Sequence, residues 1–414
     1  MTGIKAVTIS IGDELLSGKT VDSNNAYIAQ QLDPIGIPVV KKLIIGDDKQ
    51  DIVEALDWGF KEANIITLTG GLGPTHDDIT KDVLCEYFGL ELVLYPEILE
   101  NLKQRFIKRG FKFSESNISQ AEYPENTEIM SNSVGSAQGM HFRHEDKHLF
   151  VMPGVPAEMR AITNEHIIPF LLKKTGQNVA SIDIHSIGIP ESTLYESTKP
   201  ILDEYEGIKV AYLPKMGMVS IRVSFTAGND KYALIDDIYS RIRDLHPQNI
   251  FGRDEETLPG VVGELLKHKG ASVATAESCT GGLIASLITD INGSSEYFET
   301  GFVTYANETK IAVLNVAETT MIEYGAVSKQ TVSEMLAGTL EKTGSDYAVA
   351  VSGIAGPTGG SADKPVGTVI IGVADSQSQY IHRFQFGTIR VYNKKMSAFS
   401  ALNLLRLFIQ GKLP

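Results

Sequence analysis

Cysteine is almost missing from this chain. Cys85 and Cys279 are the only two among 414 residues, and they stand far apart. No disulfide framework and no cysteine-rich zinc cluster can be built from such a pair within one chain. Basic charge is also short: 37 Lys and Arg face 51 Asp and Glu, a net charge of −14. A broad face for a nucleic-acid backbone or an anionic membrane is therefore not expected, although a local pocket can still hold a small phosphorylated ligand. No apolar run is long enough to span a bilayer. Met1 to Ile11 lacks the basic start and long apolar segment of a secretory signal. Repeats and low-complexity tracts are absent too. These absences give the expectation of a cytoplasmic protein in a reducing compartment, with neither membrane nor nucleic acid as partner. What is present is ordinary for a globular chain: 43% hydrophobic and 21% charged residues, with length for two or three domains.

Up to about residue 172, strand-like and helix-like patterns alternate. Ala6 to Ile11, Val39 to Ile45 and Asn64 to Thr69 read as strands. Asp22 to Leu32 and Asp51 to Glu62 read as helices, the first capped by Asp22. Leu149 to Met152 is a later strand, turned by Pro153-Gly154-Val155-Pro156. Such alternation predicts a parallel sheet covered on both faces. From 173 to 250 the pattern is a small α+β module. It has a strand at Ser181 to Ile187, a helix from Glu191, a hairpin of Val210–Leu213 with Val219–Thr226, and a helix at Tyr232 to Leu245. Residues 255–414 return to α/β patterning, with strands at Ser272–Thr275, Tyr347–Ser352, Gly367–Val373 and Tyr380–Phe386. A long closing helix runs from Ile389 to Ile409.

Three segments of the last section carry chemistry. Ala276-Glu277-Ser278-Cys279-Thr280-Gly281-Gly282 joins a strand to a helix. Taken alone it reads as a capped helix start. Read with the other segments it places Ser278 as a nucleophile beside the N–H groups of Cys279, Thr280, Gly281 and Gly282, which can hold an oxyanion. Cys279 is the alternative nucleophile. Thr304-Tyr305-Ala306-Asn307-Glu308-Thr309-Lys310 predicts a helix capped by Asn307 with Lys310 in its first turn. There the helix dipole and burial would both lower the lysine pKa; a solvated surface lysine is the plainer reading. Ser352-Gly353-Ile354-Ala355-Gly356-Pro357 ends a strand in a glycine-rich loop that can cradle a phosphate or ribose. No histidine is placed as base for Ser278, so a Ser–Lys pair is preferred to a Ser-His-Asp triad.

Together these segments resemble the C-terminal domain of the CinA (competence/damage-inducible protein A) family, which is similar to stand-alone nicotinamide mononucleotide deamidases. The resemblance covers 255–414. It implies Ser278 as nucleophile, Lys310 as base and Tyr305 assisting, with Ser352 contributing a small hydroxyl and Arg390 near the substrate phosphate. It implies no cofactor for this domain.

In the first section, Gly70-Gly71-Leu72-Gly73-Pro74 follows a strand and precedes Asp77, Asp78 and Asp82. The glycines allow close approach of phosphates. The acids reach phosphate only through a cation, unless they serve the helix dipole. The segment resembles the molybdopterin-binding family, with Asp78 and Asp82 on its pattern and Asp47 on a second family aspartate. Gly12 to Gly18, Asp22-Ser23-Asn24 and Pro153 to Met159 resemble the CinA version of that domain more narrowly. That version implies metal-dependent hydrolysis of ADP-ribose to AMP and ribose 5-phosphate. It would use Gly70, Gly71, Gly73 and Asn24 for substrate, and Asp47, Asp78 and Asp82 for Mg²⁺, Mn²⁺ or Co²⁺. The middle module resembles the KH-like insert of the family, but Gly188-Ile189-Pro190-Glu191 lacks the second glycine of a nucleic-acid loop. The expected architecture is therefore a molybdopterin-binding-like three-layer α/β domain (1–172), a KH-like α+β domain (173–250) and an α/β deamidase domain (255–414). The resemblance implies a homodimer. Two other classes stay open: a nucleotide-binding adaptor of the competence or damage response, and a molybdopterin-related N-terminal activity.

Overall fold

The computed structural model describes residues 3–108, 110–175, 180–225 and 231–413. Two compact units form, 1–180 and 181–414. Among the described residues no helix is long and apolar enough to cross a membrane.

The first unit is built on a six-stranded sheet. Its strands are β1 (Ala6–Ile11), β2 (Val39–Ile45), β3 (Ile65–Thr69), β4 (Glu128–Met130), β5 (Gly139–His144) and β6 (Lys147–Met152), in the order β2-β1-β3-β6-β5-β4. The first four in that order are parallel, as the alternating pattern predicts. β5 and β4 run antiparallel, so the sheet is mixed rather than wholly parallel. β1 is buried along its whole length, because helices cover both faces. α2 (Lys49–Glu62) lays Ile52, Leu56 and Phe60 against Val7, Ile9 and Ile11. α1 (Asn24–Leu32) packs Ile28 and Leu32 against Ala6 and Ile65 on the other side. Each such fully buried aliphatic side chain contributes roughly 1.5–3 kcal/mol. α3 (Thr80–Phe88) follows the glycine segment after β3.

The second unit holds two sheets. The KH-like module is a four-stranded antiparallel sheet of β7 (Ser181–Ile187), β8 (Ile208–Lys215), β9 (Met218–Phe225) and β10 (Ile250–Arg253), in the order β8-β9-β7-β10. The residue expected to end β9, Thr226, lies outside the described residues. The last sheet comprises β11 (Val273–Glu277), β12 (Phe298–Val303), β13 (Tyr347–Gly353), β14 (Thr368–Ala374) and β15 (Gln379–Gln385), in the order β12-β11-β13-β14-β15. Pairing is parallel from β12 to β13 and antiparallel beyond.

The two-residue period of β13 sorts its side chains between layers. Val349 and Val351 join the core made with α7 (Leu258–Lys269), α8 (Leu283–Thr289) and α11 (Arg390–Ile409). Ala348 and Ala350 face α9 (Asn307–Leu314) and α10 (Lys329–Thr343). The small alanines let α10 come close to the sheet. α10 also comes close to α9: a Cβ on Gly338 would stand 1.9 Å from the Leu314 carbonyl oxygen.

Candidate active site

In the last sheet the carboxyl ends of three parallel strands meet where the chain order reverses, on either side of β11. Such switch points open a crevice for ligands. β11 delivers Ser278, and the Ser278 N–H donates to the Val351 carbonyl of β13 at 3.0 Å. β12 leads through Thr304 and Tyr305 into α9. β13 ends at Ser352 and Gly353. Ser278, Cys279, Tyr305, Asn307, Lys310, Ser352, Gly353 and Arg390 all line one cavity of about 190 Å³.

Lys310 is 1% exposed and Ser278 8%. Lys310 Nζ lies 3.1 Å from Ser278 Oγ, 2.8 Å from the Thr304 carbonyl oxygen and 3.2 Å from that of Tyr305. No carboxylate pairs with it among the described residues. Burial pushes the ammonium below its ordinary value, while Cys279 and Glu308 oppose that more weakly. In the neutral amine two N–H bonds donate to the two carbonyls, and the lone pair is left for the Ser278 hydroxyl, which donates to it. The charged ammonium donates to all three oxygens, and the neutral amine keeps the two carbonyls while turning its lone pair to the serine. Gly338→Ala should disturb this arrangement. The clash is with backbone four residues beyond Lys310, so α9 must shift. The expected result is a loss of about 1–3 kcal/mol of stability, read from the denaturant midpoint.

The turn after Ser278 is organised by Glu277, whose role the sequence did not reveal. Its buried carboxylate accepts from the N–H groups of Gly282 (2.9 Å), Ile284 (3.1 Å) and Ala285 (2.8 Å). Left-handed conformations at Gly281 (φ +65°) and Gly282 (φ +91°) bend the chain back to allow this. The expected oxyanion set is thereby corrected. Gly282 N–H is occupied by Glu277, and Gly281 N–H donates to the Ser278 carbonyl. Among the described residues, the N–H groups of Cys279 and Thr280 have no acceptor outside their own residue.

Tyr305 gives Lys310 a carbonyl, but its phenol points elsewhere. Arg390 donates to the phenol oxygen at 2.9 Å and to the Gly356 carbonyl at 2.8 Å. The phenol lines the cavity beside Arg390 and makes no hydrogen bond to Ser278 or Lys310. Ser352 Oγ donates to the Ala326 carbonyl at 2.6 Å. Asn307 opens α9 without capping it; Ala306 holds the cap position. The Cys279 thiol is pushed up to about 12, chiefly by burial, so it stays protonated at neutral pH.

In the first unit the loops after β1, β2, β3 and β6 also gather at a switch point, between β1 and β3. A Cβ on Gly70 would meet the Ile11 carbonyl oxygen at 2.4 Å, and one on Gly71 the Thr80 hydroxyl at 2.1 Å. Asn24 donates to the Gly154 carbonyl at 2.8 Å, leaving its own buried carboxamide oxygen unpartnered. The three expected metal ligands do not assemble. Asp78 accepts from the Thr75 N–H (2.9 Å) and hydroxyl (2.5 Å), and Asp47 accepts from the Asp13 N–H at 3.0 Å. Asp82 sits in the first turn of α3, where it suits the dipole. Among the described residues no three His, Cys, Asp or Glu side chains converge on one ion position. Burial pushes the Asp47 carboxyl up, with Asp13, Glu14 and Asp78 adding to it and the Asp13 N–H opposing.

Comparison with known proteins follows the same division. Residues 7–173 match the family model described as a probable molybdopterin binding domain, 183–252 that of the damage-inducible protein CinA KH domain, and 255–409 that of the CinA C-terminal domain. A CinA-like protein of Chloroherpeton thalassium is 42% identical over 97% of this chain and 98% of its own length. The chain belongs to the CinA family. A putative competence-damage inducible protein of Caldicellulosiruptor saccharolyticus is 38% identical, again over 97% of this chain and 98% of its own. The crystal structure of the competence/damage inducible protein CihA from Agrobacterium tumefaciens is 40% identical, covering 37% of this chain and 93% of that one, with a TM-score of 0.36. As a CinA family member, the chain carries the molybdopterin-binding-like, KH-like and C-terminal domains in one order.

Proposed function

We propose that the C-terminal site is a serine–lysine amidohydrolase that converts nicotinamide mononucleotide and water to nicotinate mononucleotide and ammonia. The observation that carries this reading is the buried Lys310 amine, 3.1 Å from Ser278 Oγ, with carbonyls as its other partners. Burial, without a carboxylate among the described residues to hold its charge, pushes the Lys310 amine toward its neutral form, the form a general base needs.

Lys310 takes the Ser278 proton as Ser278 Oγ bonds to the carboxamide carbon. The oxyanion accepts from the N–H groups of Cys279 and Thr280. Lys310 then returns the proton to the departing nitrogen, the C–N bond breaks and ammonia leaves. Water attacks the acyl-serine ester, giving its proton to Lys310, and the Ser278 alkoxide is released and reprotonated. No other residue has to change protonation. Incubation of the purified chain with nicotinamide mononucleotide, followed by chromatography and ammonia detection, tests this. Absence of both products would count against it. A nucleotide-binding adaptor would bind the compound and leave it intact.

A second reading concerns the N-terminal site. The unpartnered Asn24 carboxamide oxygen at a glycine-lined switch point favours a ligand with hydrogen-bond donors, such as the ribose or adenine of ADP-ribose. Hydrolysis of its pyrophosphate would yield AMP and ribose 5-phosphate. A divalent ion would have to take most of its ligands from water and phosphate, since the aspartates do not form a cage. Incubation with ADP-ribose and Mg²⁺, Mn²⁺ or Co²⁺ in turn should release AMP. Binding of a molybdopterin compound without AMP release would point to the other branch of the fold.

A further inference from the structure

A second cavity, of about 610 Å³, lies between the KH-like module and the C-terminal domain, within the second unit. It shares no residue with the cavity at Ser278, and its volume is in the range of small-molecule sites. Its walls come from separate parts of the chain. Met218 belongs to β9, Phe251 to β10, Leu283 and Leu287 to α8, and Phe399 to α11. Met218, Leu283, Leu287 and Phe399 pack against the hydrophobic core and are only partly buried, because the cavity leaves them uncovered. The hairpin tip between β8 and β9 rests on α11 beside it: a Cβ on Gly217 would stand 2.5 Å from Met396 Sδ.

Away from the rim, the polar side chains of the lining are already used. His185 and Ser220 bond to each other at 2.8 Å, and His185 Nε2 donates to the Asp254 carbonyl at 2.6 Å. The Thr257 hydroxyl accepts from the Gly260 N–H at 3.2 Å, capping α7. The body of an occupant must therefore be apolar. The rim sets its charge. Asp254, Glu255, Glu256 and Asp290 stand there against Lys215 and Lys395, four carboxylates against two ammonium groups. Asp254 and Glu256 accept from the N–H groups of Asp183 and Arg253. Glu255 and Asp290 are exposed and have no hydrogen bond or ion pair among the described residues, so both are left to meet a cation.

The cavity bears on the catalytic turn through Leu283. That residue lies between Gly282 and Ile284, whose N–H groups Glu277 holds, while its side chain forms part of the cavity wall. An apolar body against Leu283 restrains the same turn from the far side.

We propose that this cavity binds a small amphipathic cation, an apolar body carrying one ammonium group, and that the occupant steadies the turn after Ser278. The site stands independently of the amidohydrolase reading.

Phenylbutylamine, phenylbutanol and phenylbutyrate share one apolar body and differ in charge. Each is titrated into the full chain by calorimetry. The amine should bind at least about tenfold more tightly than the carboxylate at low salt, and the margin should shrink as salt is raised. Glu255→Gln with Asp290→Asn should remove most of that margin and leave the affinity of the alcohol unchanged. Leu287→Trp fills the cavity and should abolish binding of all three. Thermal melting checks that the variants are folded; should Leu287→Trp not fold, the Glu255→Gln, Asp290→Asn chain decides alone. Bound amine should also slow amide hydrogen exchange at Ile284 and Ala285 by about threefold or more. Equal affinity for amine and carboxylate, tighter binding of the carboxylate, or no binding of any of the three overturns the proposal. So does binding that persists in a folded Leu287→Trp chain. Unchanged exchange at Ile284 and Ala285 with the amine bound overturns the link to the Ser278 turn.

Discussion

Ser278→Ala is expected to lower kcat for nicotinamide mononucleotide by about 10⁴-fold or more, whereas Cys279→Ala should retain activity within about tenfold. The two residues are neighbours on one turn, line the same cavity and are both buried. Chemistry separates them. A thiol whose pKa is about 12 is ionised to roughly one part in 10⁵ at pH 7. Lys310 Nζ is hydrogen-bonded to the Ser278 oxygen, so the serine has a base within reach and the cysteine gains none. Removing the Cys279 side chain leaves the backbone N–H that the oxyanion needs. It costs only buried contact, on the order of 1 kcal/mol. Single-turnover ammonia release from the two variants decides the matter. An active serine variant beside an inactive cysteine variant would reverse the assignment.

Much of this site is legible in sequence because strand ends are legible. β1 and β2 begin and end where their β-rich runs do, at Ala6–Ile11 and Val39–Ile45. Short connectors after β11, β12 and β13 leave little freedom in where Ser278, Lys310 and Ser352 can go. Parallel pairing then brings together residues 32 positions apart. Helix starts are harder to read. α2 begins at Lys49 because Asp48 accepts from the Gln50 and Asp51 N–H groups. Asp51, read as the start, lies inside the first turn.

Side chains consumed by their own backbone are harder still. Asp78 looks free for a cation in sequence, yet it folds back onto Thr75. Glu277 looks like part of a ligand loop, yet it clamps the next helix through N–H groups five, seven and eight positions on. Both contacts depend on turn conformations that residue type alone does not specify; the left-handed pair Gly281-Gly282 is the one signal that could have raised the second. The direction of the Tyr305 phenol was hidden for a different reason. Its partner Arg390 is 85 positions away, on a helix whose lateral placement only the assembled core determines.

The strongest demand falls on Lys310. Lys310→Met should reduce kcat/KM by about 10³-fold or more at pH 8, and Lys310→Arg should not rescue it, because a guanidinium stays protonated. The pH profile carries the decisive sign. Only the neutral amine can accept the serine proton, so the rate should climb about tenfold per pH unit below the Lys310 pKa and level above it. An ordinary lysine at 10.5 would be neutral to only about one part in 10³ at pH 7.5. Burial lowers the value, which moves the plateau down toward neutral pH.

The same shift has a stability consequence of fixed direction. Between the lowered pKa and 10.5 the unfolded chain binds a proton that the folded chain does not, so this group's contribution to stability rises with pH across that window. At neutral pH the buried amine is therefore a burden on the fold. Lys310→Met removes that burden while leaving two carbonyls without their donor, so the two changes offset and the variant should melt close to the parent. An inactive Lys310→Met chain with a near-parental melting temperature ties the loss to proton transfer. A rate that stays flat from pH 6 to pH 9 would put the pKa of the base outside that range, whereas a folded Lys310→Met chain with parental kcat/KM would remove Lys310 from that role.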